Sequence, residues 1–300
     1  MMADKKNLLD VEQLNLKKRD YSKLLLTVGV VAMVFFAFLA VVDGIGGLET
    51  GLEWIDWVAL GLMALCGPYG FYTTYQFKRI REIESRLPDF LRDVAEGGRF
   101  GMTLAESIKV SSRGRYGRLT PEIQRMAAQI DWGVPATDAI KLFIDRVDTP
   151  LVRRMTSIVI KANDAGGNVA DVLEMVAHDA RETLLNRNER SIAMSTYTVV
   201  IYVAFAVFLA TIFILNSTFL PRMVEAGSQI SEDAPDIGGV PVEIQSDVIP
   251  QVQLIFVIAV VIHAFGDGIL AGVLQDGRIA NGFRHSFIML LIGLIGTRVV

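Results

Sequence analysis

The chain has 300 residues, 52% of them hydrophobic, with 29 Lys and Arg against 33 Asp and Glu for a formal net charge of −4. Acids and bases this closely balanced argue against a nucleic-acid binder. A single cysteine, Cys66, excludes an internal disulfide and lacks the partners of a metal site, so it reads as a small core residue.

The apolar residues are not spread evenly, and their clustering decides the class. "YSKLLLTVGVVAMVFFAFLAVVD" at 21–43 holds an uncharged stretch between Lys23 and Asp43. Further runs follow at 57–77, 191–220, 248–274 and 283–300. About twenty apolar residues at 1.5 Å rise match the thickness of a bilayer's hydrocarbon core. Packing all five runs inside a soluble protein would need a core too large for this length. The fold class expected is therefore all-α: a polytopic membrane protein with about five transmembrane helices and one cytoplasmic six-helix bundle. The first run is too long, and its "AFLAVVDG" end too poor a cleavage site, for a signal peptide, so it reads as retained.

Three regions are expected: 1–77 (a basic tail and two spans), 78–190 (the bundle) and 191–300 (three spans with an acidic loop at 220–249). Lys5, Lys6, Lys17, Lys18, Arg19 and Lys23 precede the first span, and the loop after it has acids but no Lys or Arg. The 220–249 loop has Arg222 against six acids, and the short 275–283 turn holds Arg278. Positive-inside bias places the N-terminus, 78–190 and the 275–283 turn in the cytoplasm of a cell-membrane protein, and 220–249 outside.

Within 78–190 the helix starts can be read directly. Pro88 opens the first helix and Gly97-Gly98 close it. Thr103 with Glu106 forms a capping box for the second. Thr120-Pro121 provides an N-cap and a first-turn proline for the third, and Gly133 stops it. Pro135 begins the fourth, Thr149-Pro150 the fifth, and Asn168 with Asp171 the sixth. One-sided apolar stripes such as Ile123, Met126, Ala127 and Ile130, or Met155, Ile158, Val159 and Ala162, indicate a bundle. Three related phrases, "GMTLAESI", "GVPATDAI" and "GGNVADVL", are turns between antiparallel helices, where Gly ends one helix and a polar residue starts the next.

No G-x-x-x-x-G-K-S/T, HExxH, CxxC or GxSxG is present, and His178, His263 and His285 lie in different elements. No catalytic, cofactor-binding or metal site is expected, and the protein does not read as an enzyme. Asp267 stands four residues after His263 and so on the same helix face. An ionisable group in a span is a functional candidate. Measured from Gln251, though, Asp267 lies about 24 Å along the span, close to the cytoplasmic interface, where an interfacial acid is the plainer reading. Gly268 and Gly272 form a small-xxx-small step suited to close helix packing, within the chain or between copies.

Taken in order, "GMTLAESI", "GVPATDAIKLFIDRVDTPLVRRMTSIVIKANDAGGNVADVLEMVAHDARE" and the following span resemble the type II secretion system F domain, the inner-membrane platform unit of type IV filament machines. The resemblance covers roughly 80–220. "HAFGDGILAGVLQDGRIANGFRHSFIMLLIG" is similar to the C-terminal hairpin of the archaeal branch. The resemblance implies a non-enzymatic platform that works with a hexameric secretion ATPase and pilin-like subunits, as a homodimer or with a paired platform paralogue, in the lipid bilayer and without nucleic acid. Archaellum platforms commonly carry two cytoplasmic units, so a single unit favours a pilus or tight-adherence-type system, with the archaellum motor as the alternative. The Gly-rich loop "SSRGRYGRLT" with Arg113, Arg115 and Arg118, and Arg79, Arg81 and Arg86 after the second span, are candidate ATPase-docking residues. Anionic lipid is the other partner such arginines suit, and a solvated turn the plainer reading. A rival of another class is a small membrane transporter using Asp267 and His263; a second is a receptor whose 220–249 loop binds a ligand.

Overall fold

A computed structural model describes residues 21–46, 52–233 and 249–298, and among them there are helices and turns but no strand. The helices are α1 (Ser22–Gly44), α2 (Trp54–Glu84), α3 (Leu87–Arg99), α4 (Leu104–Ser111), α5 (Thr120–Asp131), α6 (Ala136–Val147), α7 (Pro150–Asp164), α8 (Val169–Ile214), α9 (Leu220–Asp233), α10 (Ile249–Asp276) and α11 (Ile279–Arg298). They form two compact units: 75–190, and 20–74 together with 191–300. The protein is an all-α polytopic membrane protein.

Among the described residues four stretches are long and apolar enough to cross a membrane: Ser22–Gly44, Val169–Ala226, Ile249–Asp276 and Ile279–Arg298. The run expected as the second span forms α2, which is not among the four. Gly67, Pro68, Tyr69, Gly70, Tyr72, Thr73 and Thr74 dilute its apolar character, and α2 packs on other helices of its unit. Gly29 of α1 and Gly61 of α2 allow that approach, since an added Cβ would lie 3.1 Å from Leu65 Cα and 3.1 Å from Phe36 Cβ. Elsewhere on α1, Val31, Val34 and Phe38 are exposed, as side chains facing lipid tails would be.

The end of α8 departs from expectation. The helix does not stop at 220 but passes through a π-helical turn, Leu215–Phe219, into α9. Pro221 has no N–H to give the preceding turn, and a widened turn absorbs that break in the ladder. The first part of the expected external loop, 220–233, is thus helical. The rest of it lies outside the described residues, as do the basic side chains of 1–20.

The unit of 75–190 has the six expected helices, α3 to α7 and the first part of α8. Phe90, Val94, Ile108, Ile123, Met126, Phe143, Met155, Val159, Leu173 and Val176 share one core. Two starts follow their sequence signals. Thr103 N donates to Glu106 Oε2 at 2.9 Å while Glu106 N donates to Thr103 Oγ1 at 3.3 Å; the backbone donor, then the Thr103 hydroxyl at 3.0 Å, hold the Glu106 carboxyl below its ordinary value. Asn168 Oδ1 accepts from Ala170 N at 3.2 Å.

Two signals mean something else. Gly97 and Gly98 lie inside α3, which ends at Arg99. They serve close approach: an added Cβ would fall 2.6 Å from Ser107 Oγ at Gly97 and 2.9 Å from Ala170 Cβ at Gly98. The left-handed turn falls to Gly101, at φ +82°. Thr120 is already helical, because a 3₁₀ turn, Gly117–Leu119, leads into α5; its Oγ1 accepts from Tyr116 N at 2.8 Å.

In the membrane unit α10 and α11 form a hairpin held by backbone proximity. An added Cβ at Gly268 would sit 2.2 Å from Ser286 Cα, and one at Gly272 would sit 2.2 Å from Gly282 Cα. Ser286 Oγ donates to the Phe265 carbonyl at 2.8 Å. Gly70 of α2 meets the same hairpin, its added Cβ falling 2.4 Å from Arg284 N. Nearby, Thr73 Oγ1 donates to Tyr69 O at 2.6 Å and to Ala280 O at 3.3 Å. Small residues and hydroxyls that let backbones meet are the usual cement of helices in lipid. Gly272→Val should destabilise the hairpin by about 1–3 kcal/mol, lowering the Tm of the detergent-solubilised chain. Gly266→Ala, where an added Cβ meets open space, should leave the Tm unchanged or slightly raised.

Candidate functional site

The six candidate arginines all belong to the 75–190 unit, and the fold carries the loop 112–119 to the end of the bundle where α2 enters. Arg118 pairs with Glu82, and a Cβ added at Gly117 would lie 4.0 Å from Arg86 Cγ. Arg86 pairs with Asp89 at 3.5 Å, and Asp89 also meets Arg181 at 3.6 Å. These pairs are largely solvated and contribute little to stability. Arg81, Arg113 and Arg115 are exposed and Arg79 is half-buried.

One buried side chain fixes the loop that carries Arg113 and Arg115. Tyr116 is 3% exposed. Its ring meets Phe90 edge-on at 5.6 Å, and its hydroxyl donates to the Asp93 carboxylate. Burial, then the hydrogen bond to Asp93, holds the phenol well above its usual range. A side chain at Gly114 would strike the Tyr116 hydroxyl at 2.5 Å, so the glycine serves the ring beside it. Sequence reading took this tyrosine as part of a solvated turn; only its aromatic character among Gly and Arg hinted otherwise.

A second organising residue was also missed. Glu84, the last residue of α2, is 4% exposed. It accepts Leu151 N at 3.1 Å through Oε1 and Arg187 Nη1 at 2.9 Å through Oε2. Helix starts leave backbone donors without helical partners, and here the first turn of α7 is fully accounted for. Pro150 has no N–H, Leu151 uses Glu84, Val152 uses Thr149 Oγ1 at 3.3 Å, and Arg153 uses the Thr149 carbonyl at 2.9 Å. The carboxylate also complements the positive end of the α7 dipole. One charge thereby ties α2, α7 and α8 together. Its partners stand 67 and 103 residues away, a separation that no local pattern announces.

In the membrane unit, His263 Nδ1 lies 3.3 Å from Asp267 Oδ2. The His263 side chain is 53% exposed and Asp267 27%, and the imidazole packs on Phe208 at 4.4 Å between ring centroids. The pair sits on one helix, and the Phe208 ring joins it to α8. His285, by contrast, is buried and meets Tyr202 Oη at 2.9 Å. No three His, Cys, Asp or Glu among the described residues converge as metal ligands would.

Residues 90–216 match the family model of Type II secretion system (T2SS), protein F. An uncharacterised protein of Methanocaldococcus jannaschii is 27% identical over 239 residues. That alignment takes in 79% of this chain and 37% of the relative, so the chain spans little more than a third of the relative's length. No solved structure matches.

Glu84→Leu should weaken the bundle by about 1–3 kcal/mol, because Leu151 N–H loses its acceptor and Arg187 its partner. Glu84→Gln keeps a carbonyl oxygen for Leu151 and should cost less. Amide exchange of the first turn of α7 separates the two variants, and equal protection in both would remove the capping role.

Proposed function

We propose that this chain, whose residues 90–216 carry the domain of type II secretion system protein F, is an integral-membrane platform of a type IV pilus-like filament assembly machine. In this reading it couples a cytoplasmic hexameric ATPase to the insertion of pilin-like subunits, without chemistry of its own. The observation that carries the reading is that match, lying on a helical bundle joined in sequence to apolar helices on both sides.

Charge supports an orientation. The basic residues before α1 and the arginines of 79–118 belong inside, and the acidic connection after α9 belongs outside. Two helices, α2 and α8, contribute residues to both units. A load taken up on the bundle would pass along them to the apolar segments, and Glu84 joins both within the bundle. Docking falls to the exposed arginines, above all Arg113 and Arg115, held out by the anchored Tyr116. Arg118 has a structural partner in Glu82 and contributes less.

The test is co-purification of the ATPase with the full chain from membranes. Replacing Arg113 and Arg115 with Glu should reduce ATPase recovery by roughly tenfold or more, since a like-charge contact replaces an attractive one. Membrane insertion and Tm should be unchanged. ATPase recovery equal to wild type would remove the docking assignment while leaving the platform role standing.

A further inference from the structure

The structure sets the His263–Asp267 pair deeper in the membrane than the sequence placed it. α10 does not end near Asp267 but continues to Asp276, and its apolar stretch runs from Leu254 to Leu274, between Gln253 and Gln275. At 1.5 Å per residue that stretch is about 30 Å long, the thickness of the hydrocarbon. His263 stands about 14 Å from one end and about 16 Å from the other, and Asp267 about 10 Å from the nearer one. Ionisable groups at such depth face the interior of a helix bundle or a water-filled cavity. This imidazole instead looks outward, on a face it shares with Ile262, Gly266 and Leu270, all exposed. Phe208 covers one side of the ring and Asp267 occupies Nδ1, while Nε2 has no hydrogen bond among the described residues. The side chain is too short to carry its polar edge to either headgroup layer. No third His, Cys, Asp or Glu joins the pair among the described residues, so it lacks the chain of groups that a proton path uses.

The spacing around the pair says what kind of surface covers it. Ala259, His263, Gly266 and Leu270 recur at intervals of four, three and four residues, the seam along which two helices wind together, and Asp267 borders that seam. Gly266 adds a separate observation. Gly268 and Gly272 on the same helix are filled by α11, but a Cβ added at Gly266 meets nothing within 4 Å. Its missing side chain serves no packing inside this copy, and it leaves room for another backbone beside the imidazole.

Charge complementarity identifies the occupant. Two copies inserted in the same direction share a two-fold axis along the membrane normal, so α10 meets α10 in parallel and every contact is reciprocal. Each copy brings one carboxylate and one imidazole to the seam. A protonated imidazole donates from both nitrogens: Nδ1 to its own Asp267, and Nε2 to the partner subunit's Asp267. Two positive and two negative groups then cancel away from water, and the open nitrogen of each copy is answered. We infer that the Ala259–Leu270 face of α10 binds the same face of a second copy of this chain, with His263 and Asp267 as the polar lock and Gly266 at the point of closest approach. The inference does not rest on the filament reading, and pairing in the absence of any ATPase leaves it standing.

The test uses the full chain carrying two different tags, co-expressed in one membrane. Recovery of one tag with the other, and disulfide formation by Gly266→Cys, report pairing; Cys66 is buried and stays silent. Gly266→Cys should give a dimer-sized product, and Val31→Cys, exposed on α1, should not. His263→Asp leaves each copy with two acids and Asp267→His leaves it with two imidazoles, so either variant alone should lose tag recovery about tenfold through like-charge contact. The two variants expressed together should pair with each other and regain it, a result that misfolding of either one does not produce. Pairing of either variant alone at the wild-type level would overturn the inference, as would equal cross-linking from Val31→Cys. So would no recovery in the mixture when both variants are inserted and keep the wild-type Tm. A cross-link from Gly266→Cys to a different polypeptide in native membranes, in place of a second copy, would overturn the assigned occupant.

Discussion

In hydrocarbon every backbone N–H and C=O has to find its partner inside the protein, and a helix satisfies that demand within its own turn. The membrane unit is built under that constraint. Once the backbone is closed, no hydrophobic force drives one helix against another, because lipid is as apolar as leucine. Contact must come from closeness, and closeness from small residues. Gly268 against Ser286 and Gly272 against Gly282 bring two backbones together, and Gly70 brings a third helix onto the hairpin. Hydroxyls then use what proximity offers, as Ser286 does with the Phe265 carbonyl and Thr73 with that of Ala280.

The 75–190 unit meets the same accounting with different means. Its helices are short, so a large share of their backbone lies at ends that need caps. Thr103 with Glu106, Thr149 and Asn168 supply them locally. Glu84 supplies one from a distance, and in doing so links the helix that enters the bundle to the one that leaves it. A buried carboxylate is tolerated there because a backbone donor and a guanidinium share it.

Much of this was legible in the sequence. The apolar runs announced the membrane class, and capping residues marked helix starts to within a residue or two. The misreadings share a cause: residues with two physical uses. Glycine can end a helix or let another chain segment approach, and Gly97-Gly98 do the second while Gly101 does the first. Residues 220–233, expected in a loop, stay helical because the π-helical turn before Pro221 takes up its missing N–H. The candidate arginines were visible as a charge cluster, but their placement depends on Tyr116 and Glu84, whose partners are set only by the tertiary fold.

The proposed platform role, which rests on the match of residues 90–216 to type II secretion system protein F, would place this chain between an ATPase and filament subunits. The most direct measurement is to extract the tagged chain gently from its native membrane and quantify by mass spectrometry what accompanies it. A platform should bring with it a hexameric secretion-family ATPase and pilin-like subunits in fixed ratio to the chain, with any paired platform revealed by its own peptides. Repeated recovery of the chain alone from intact membranes, with the ATPase present in the starting material, would contradict it.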